Sequence, residues 1–396
     1  MKSYEDPSKP CNRIVANFTR DITESYNGYI TGIPITYQSE DNIEPIIDVL
    51  DYNDVHFEDN SLLKDALVYG IAYEVCWVDM EGKQRFRKLS PLETIPVYDN
   101  TLEQNLLAVI RYYCIHKYDN TDHWYIEVYD SNYIKKYDSD YSFSEISFEG
   151  EEPHYYGQVP ITVFELNEEH KAIFDGIMSL QDAYNKLISC DVDNFEAFTD
   201  CYLILKNCVA DAETIGKMKK NRVLILDEDA DASFLTKNMN DTNIENMLDR
   251  IQQVIYEKSK APNFQDQNFN AASGIAMEYR LSGFIFVAGN IIANMKKALQ
   301  KRIELISSIL SLTDSEGLWR SIDIIFTPNL PVDEQAHASE INMLRGLVSD
   351  ETLLAQLPFI KDPKEELDRL KKQKQENISM YDFERTEEVQ SEETGE

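Results

Sequence analysis

Positive charge is what this 396-residue chain has least of: 38 Lys and Arg stand against 71 Asp and Glu, a formal net charge of −33. Proteins that grip phosphate backbones release counterions through basic patches. The deficit therefore argues against tight nucleic-acid binding and against an anionic membrane surface. Cysteine is sparse as well. The six (Cys11, Cys76, Cys114, Cys190, Cys201 and Cys208) make no C-x-x-C pair, and MKSYEDPSKPCNR has no apolar stretch for a secretory signal. On one helix Cys190, Cys201 and Cys208 would fall within about 20° of one another. They read as three buried thiols on a helix face in a reducing compartment, ahead of metal or redox work. Long hydrophobic runs are missing too. The most apolar of the long uncharged stretches, LSGFIFVAGNIIANM from Leu281 to Met295, falls short of the roughly 20 residues that span a bilayer. No membrane partner is expected.

Catalytic signatures are equally scarce. There is no G-x-x-x-x-G-K-[ST] phosphate loop and no dinucleotide G-x-G-x-x-G, so nucleotide cofactors have no cradle. The six histidines are dispersed, without H-E-x-x-H or a Cys/His cluster at zinc spacing. DEDAD (Asp227 to Asp231) opens like a calcium loop, but Ala232 stands where glycine is needed and Asn238 where glutamate is needed. It reads as a solvated acidic turn. Carboxylate pairs are too frequent here to mark any one as an acid/base couple. No catalytic residue, metal ligand or cofactor is therefore expected.

What is present is a sequential pattern of elements, with 43% apolar residues to fill their cores. Helical pieces are expected around RIVANFTRDITESYNGYI and SLLKDALVYG. From Ile71 to about Phe148 the period changes to two (IAYEVCWVD, LLAVIRYYCIHKY, HWYIEVYD), with MEGK, DNTD and DSN as turns, which predicts an antiparallel meander. Its many Tyr and Trp could serve a sugar or base, although strand propensity explains them as well. GQVPITVFELNEE is a last strand before a long amphipathic helix, Lys171 to Leu205, with apolar residues three and four apart. A small module, Lys206 to Asn240, holds a helical piece (DAETIGKMKK) and a strand (RVLILD). Helix resumes at Thr242, where Thr242 and Glu245 form a capping box. Further helix runs through NIIANMKKALQKRIELISSILSL, followed by a strand, SIDIIFTPNLP. A last helix is expected from Asp362–Pro363, with Glu365 in its first turn. Beyond Asn377 the chain reads as a disordered acidic tail.

One stretch raises a question of its own: NFQDQNFNAASGIAMEYRLSGFIFVAGN, from Asn263 to Asn290. An amide-rich loop leads into an uncharged helix in a chain that is acidic elsewhere. A core helix after a surface loop is the plain alternative to any functional reading.

The order of these segments is similar to that of the bacteriophage portal proteins of the siphophage type. The likeness runs from PCNRIVANFTRDITESYNGYITGIPITY through LLKDALVYGIAYEVCWVD, PLETIPVYDNTLEQNLLAVIRYY and YGQVPITVFELNEEHKAIFDGIMSLQDAYNKLISCDVDNFEAFTDCYLIL. It continues in NFNAASGIAMEYRL and IDIIFTPNLPVDEQAHASEINMLRGLVSDETLLAQLP. Members of that family usually carry a further helical segment before NRIVAN, so a shortened N-terminal wing edge is expected.

The resemblance implies an α+β portal fold with an antiparallel β-rich wing, long stem helices, a small α/β clip and a helical crown. On this chain it implies wing at 1–170, stem helices at 171–205 and 241–261, and clip at 206–240. Tunnel loop, long helix and wing strand would occupy 262–330, crown helices 331–376 and the tail 377–396. The loop lining a DNA channel would be Asn263, Phe264, Gln265, Asp266, Gln267, Asn268, Phe269 and Asn270. Behind it, Ser273 and Gly274 would start the long helix, with Gly283 and Gly289 allowing close contact or a bend. Amides suit such a loop because they hydrogen-bond transiently where lysines would hold phosphates.

The implied partners are other copies in a ring, usually of twelve, the terminase, head–tail connector or adaptor proteins, the scaffold and the major capsid protein. Double-stranded DNA would pass through, bound weakly and without sequence preference. The implied place is the portal vertex of the virion, assembled in the host bacterial cytoplasm. Two readings from other classes stay open: a hydrolase with dispersed carboxylates, and a carbohydrate-binding module built on the aromatic sheet.

Overall fold

The computed structural model describes residues 10–116, 122–140, 145–199, 202–206, 216, 231–235, 241–263, 274–310 and 317–329, with 343–346, 348–354, 366–367 and 369–373 beyond. The chain divides into two units, Met1–Asn329 and Leu330–Glu396. In the second, the described residues include the short helix α7 (Asp350–Leu354), whose Leu353 is buried.

The first unit opens with α1 (Phe18–Thr31), β1 (Thr36–Gln38), α2 (Glu44–Tyr52) and α3 (Val55–Tyr69). Asn17 caps α1: its side-chain oxygen accepts the Arg20 amide at 3.2 Å, satisfying a donor that the helix itself leaves unpaired. The expected helix from Arg13 thus starts at Phe18. Along α1, Ile22, Tyr26 and Ile30 point inward, and along α3 Leu62, Leu63, Ala66 and Leu67 do the same. Each large one contributes roughly 1.5–3 kcal/mol by leaving water. Gly70 ends α3 at φ +79, where a Cβ would lie 2.2 Å from the His170 main chain. Only glycine fits that turn.

Eight strands follow: β2 (Ile71–Val78), β3 (Gln84–Leu89), β4 (Thr94–Tyr98), β5 (Leu106–His116), β6 (Asp122–Tyr129), β7 (Tyr133–Asp140), β8 (Ile146–Pro153) and β9 (Ile161–Glu165). They are antiparallel as expected, but they form two sheets rather than one meander. β4 to β8 are a five-stranded meander, whereas β2 pairs with β3 on one side and with β9 on the other. Period two cannot reveal that division, because both sheets alternate alike. The register gathers Ile110, Tyr112, Ile126, Tyr137 and Phe148 on one meander face. On the opposite face, Val109 and Tyr129 join Tyr73, Val75, Leu89, Val159 and Ile161 in one apolar cluster that unites the two sheets.

The long helix expected over 171–205 is shorter at both ends. α4 spans Met178–Thr199, and Tyr202–Lys206 is instead β10, paired with β11 (Asp231–Leu235). Tyr202 and Leu205 fit a helical period, but YLIL is also a strand sequence, and a partner strand decides the outcome. α4 carries Cys190, whereas Cys201 and Cys208, the other two members of the expected thiol stripe, lie outside the described residues. Of the predicted module, DAETIGKMKK is described only at the helical Gly216, and RVLILD lies outside the described residues. α5 (Asp241–Ser259) begins one residue before Thr242, placing that residue inside the first turn rather than at the cap. α6 runs from Gly274 to Leu310, and β12 (Asp323–Ile325) pairs with β1. The helix start at Asp362 and the acidic tail lie outside the described residues.

Candidate functional site

The uncharged stretch and its surroundings are built by α1, α5 and α6. Phe18 lies edge-on to Tyr184 of α4 and Tyr256 of α5, at 4.9 and 5.9 Å, so the start of α1 sits between the two helices. Further along α1, the Tyr26 hydroxyl donates to the Ser259 carbonyl at 2.9 Å, on the last residue of α5. The same ring lies 4.4 Å from Phe284 of α6, and Tyr29 lies 4.9 Å from it. Burial pushes the Tyr26 hydroxyl well above the usual phenol range. One helix therefore contacts both the end of α5, by a hydrogen bond, and α6, by ring packing.

Just after α5, Lys260 takes a left-handed conformation (φ 60) and Ala261 is buried. The Lys260 stem lies over Gly283, where an added Cβ would stand 3.4 Å from its Cδ. Gly283 thus seats an aliphatic stem against α6. At Gly289 nothing would come within 4 Å of a Cβ, so packing within this chain does not require glycine there.

α6 has two unlike faces. Leu281, Phe284, Ala288, Ile291, Met295, Ala298 and Leu299 are buried at spacings of three and four. Outward stand Tyr279 (78% exposed), Phe286 (71% exposed), Gly289, Asn290 and Ala293. No charged side chain interrupts that outer stripe between Leu281 and Met295.

Arg302 fixes the far end of α6. It is fully buried and donates through Nε and Nη2 to Glu74 of β2, at 2.6 and 2.7 Å, and through Nη1 to Asp59 of α3 at 2.5 Å. Its guanidinium also stacks 4.6 Å over Phe86 of β3. The two carboxylates hold Arg302 well above its ordinary range, while burial pushes both carboxyls up against the pull of the guanidinium. All three side chains are at most 1% exposed. Sealed from any substrate, this cluster is a joint and not a reaction centre. The sequence carried no signal for it, because its members are 228 and 243 residues apart.

Of the expected site residues, Asn263 is half-buried just after the α5 turn, and Gly274 is the first residue of α6. Gly283 and Gly289 lie within α6, which continues as one helix through both. Phe264, Gln265, Asp266, Gln267, Asn268, Phe269, Asn270 and Ser273 lie outside the described residues. Among the described residues, no group of three or more His, Cys, Asp and Glu is placed to hold a metal ion. No helix among them is long and apolar enough to cross a membrane.

The sequence that builds this frame has relatives. The family model for phage portal proteins of the SPP1 Gp6-like type matches residues 2–380. The chain is 24% identical over 399 residues to the portal protein of Bacillus phage SPP1, covering 95% of this chain and 78% of that one. It is 23% identical over 386 residues to the portal protein of Clostridium phage phiCD119, covering 89% and 83%. With nearly its whole length matched in order, the chain belongs to the SPP1 Gp6-like family of phage portal proteins.

Proposed function

We propose that the chain is the subunit of the portal ring at the capsid vertex, through which double-stranded DNA is packaged and later ejected. The family match over residues 2–380 carries this reading. The family is structural, and the chain's lack of a phosphate loop agrees with a motor supplied by a separate terminase.

Within that role, Asn263 to Asn270, between α5 and α6, is the natural candidate for a tunnel loop, with Ser273 and Gly274 starting the helix behind it. Its amides would touch passing phosphates without anchoring them. α4 and α5 would be stem, 206–240 the clip that docks terminase and then connector proteins, and 331–376 the crown. The uncharged outer stripe of α6, centred on Phe286, supports packing against a neighbouring copy, since exposed apolar surface of this kind marks association. A ring multiplies a charge of −33 per subunit, so duplex binding would be weak on average and salt-sensitive.

In vitro packaging with the Gln265→Lys/Gln267→Lys double variant across a salt series tests the loop assignment. A circle of cations should slow packaging or change the amount of DNA packaged, with the effect fading as salt rises. Normal packaging at every salt concentration by fully incorporated variant would place the loop away from the DNA. A chain that forms no closed ring under any assembly condition would overturn the portal reading itself.

A further inference from the structure

Residues 10–17 have no regular secondary structure, yet from Asn12 onward they lie along α4 with a strict alternation. Asn12, Ile14 and Ala16 are half-buried, while Arg13, Val15 and Asn17 are exposed, the period-two pattern of an extended chain. The main-chain amides of alternate residues each meet a side chain of α4. Asn12 N donates to Asp193 Oδ1 at 2.6 Å, Ile14 N to Ser189 Oγ at 3.0 Å, Ala16 N to Asn185 Oδ1 at 2.9 Å, and Phe18 N to Gln181 Oε1 at 3.0 Å. Gln181 Nε2 returns a bond to the Ala16 carbonyl and another, at 3.0 Å, to Asn185 Oδ1. Ser189 Oγ donates in turn to the Asn185 carbonyl at 2.6 Å, which fixes the orientation of its lone pairs.

The four acceptors recur every four residues on α4, and the four donors every two residues on the segment, in opposite chain directions. Two repeats make this possible. Four helical residues rise about 6.0 Å, and two extended residues about 6.7 Å, so successive rungs stay within reach of one another. Gln181, Ser189 and Asp193 are 6%, 6% and 7% exposed, so each is a buried polar group that the strap satisfies. Every rung reaches a main-chain amide. At Asn12 the side chain adds to its rung, through Nδ2 to Asp193 and Glu196, and at Phe18 the ring packs on Tyr184 of α4.

We propose that the stripe Gln181–Asn185–Ser189–Asp193 is a binding site for an extended polypeptide backbone, tolerant of sequence, and that residues 12–18 are its docked and releasable ligand. The chemistry it recognises is a row of amide donors on one edge of an extended chain. The class of partner is thus a peptide segment, held without a sheet.

The test uses the full chain carrying Ile14→Pro and Ala16→Pro, which removes two donors from its own strap, and a fluorescent synthetic peptide of residues 9–19 with serine at position 11. The variant should bind this peptide in anisotropy titrations, and the unaltered chain at least about tenfold more weakly. A peptide with Val15→Ala should bind within about twofold of the parent. An N-methyl group on Ile14 should weaken binding at least about tenfold, because it leaves a buried oxygen without its donor. No binding by a proline variant that melts like the unaltered protein would overturn the proposal, and so would equal binding of the N-methyl peptide. A second arm needs no proline. In the Asn185→Ala/Ser189→Ala full chain, the amides of Ile14 and Ala16 should exchange at least about tenfold faster while those within α1 hold. Unchanged exchange there would also overturn it.

Discussion

Arg302 and Glu74 face each other as a two-pronged pair, Nε to Oε2 at 2.6 Å and Nη2 to Oε1 at 2.7 Å, with neither side chain reached by water. The pair joins the long helix to the central strand of the three-stranded sheet. Taking away one member leaves the other as a buried charge. Glu74→Ala should therefore cost about 3–5 kcal/mol in denaturant unfolding, far more than a surface carboxylate would. A loss under about 1 kcal/mol would mean that the joint is dispensable.

Asp59 is the weaker third member. Its Oδ1 accepts from Arg302, but its Oδ2 has no hydrogen-bond partner among the described residues. Burial raises this carboxyl above its ordinary value despite the guanidinium. A raised folded value means that folding takes up a proton. The contribution is complete below the unfolded value and is lost as pH climbs through the folded one. Asp59→Asn keeps an oxygen for Arg302 and removes the titration. The variant should be at least as stable as the parent at neutral pH, with a flatter stability profile between acid and neutral pH. Melting curves across that range check it, and a large loss at neutral pH would show that the ionised carboxylate is needed.

Tyr26→Phe deletes one hydroxyl and strands the Ser259 carbonyl. Stability should fall by about 1 kcal/mol. The more telling readout is hydrogen exchange, which should accelerate around 259–263 while the middle of α1 stays protected. Phe284→Ala, on the other side of the same ring, should cost about 3–5 kcal/mol as a core cavity.

β10 and β11 form their own two-stranded sheet. Replacing 202–235 by a short linker should leave the melting of the sheet body unchanged, while abolishing terminase docking if this module is the clip. Circular dichroism and a pull-down with terminase separate the two effects. Loss of the sheet signal would contradict the independence of the module.

Local pattern was enough wherever neighbours in sequence are neighbours in space. The inward row Leu281, Phe284, Ala288, Ile291 announces α6, and the alternation of LLAVIRYY announces β5. It failed where a distant partner decides. Tyr202 to Leu205 suits a helix or a strand until Asp231–Leu235 pairs with it, and IAYEVCWV gives no hint that β9 rather than β4 lies beside it. Arg13 to Ala16 reads as the start of a helix because the partners of Ile14 and Ala16 lie 175 and 169 residues away. Of the candidate site, Gly283 is expected from the sequence and the contacts of Tyr26 and Lys260 are new, whereas the amide-rich loop remains a sequence-based assignment.

The Arg302 joint also sets a timetable. Glu74 leaves the ribosome 228 residues before its partner, an interval of roughly 10 to 45 s at ordinary rates of bacterial and eukaryotic synthesis. Through that interval β2 and α3 carry two carboxylates that cannot be buried without their counter-charge. The body of the subunit must wait, open and hydrated, for α6 to arrive. Subunits stalled or truncated before residue 302 lack that counter-charge, and β2 and α3 cannot close over ionised Glu74 and Asp59.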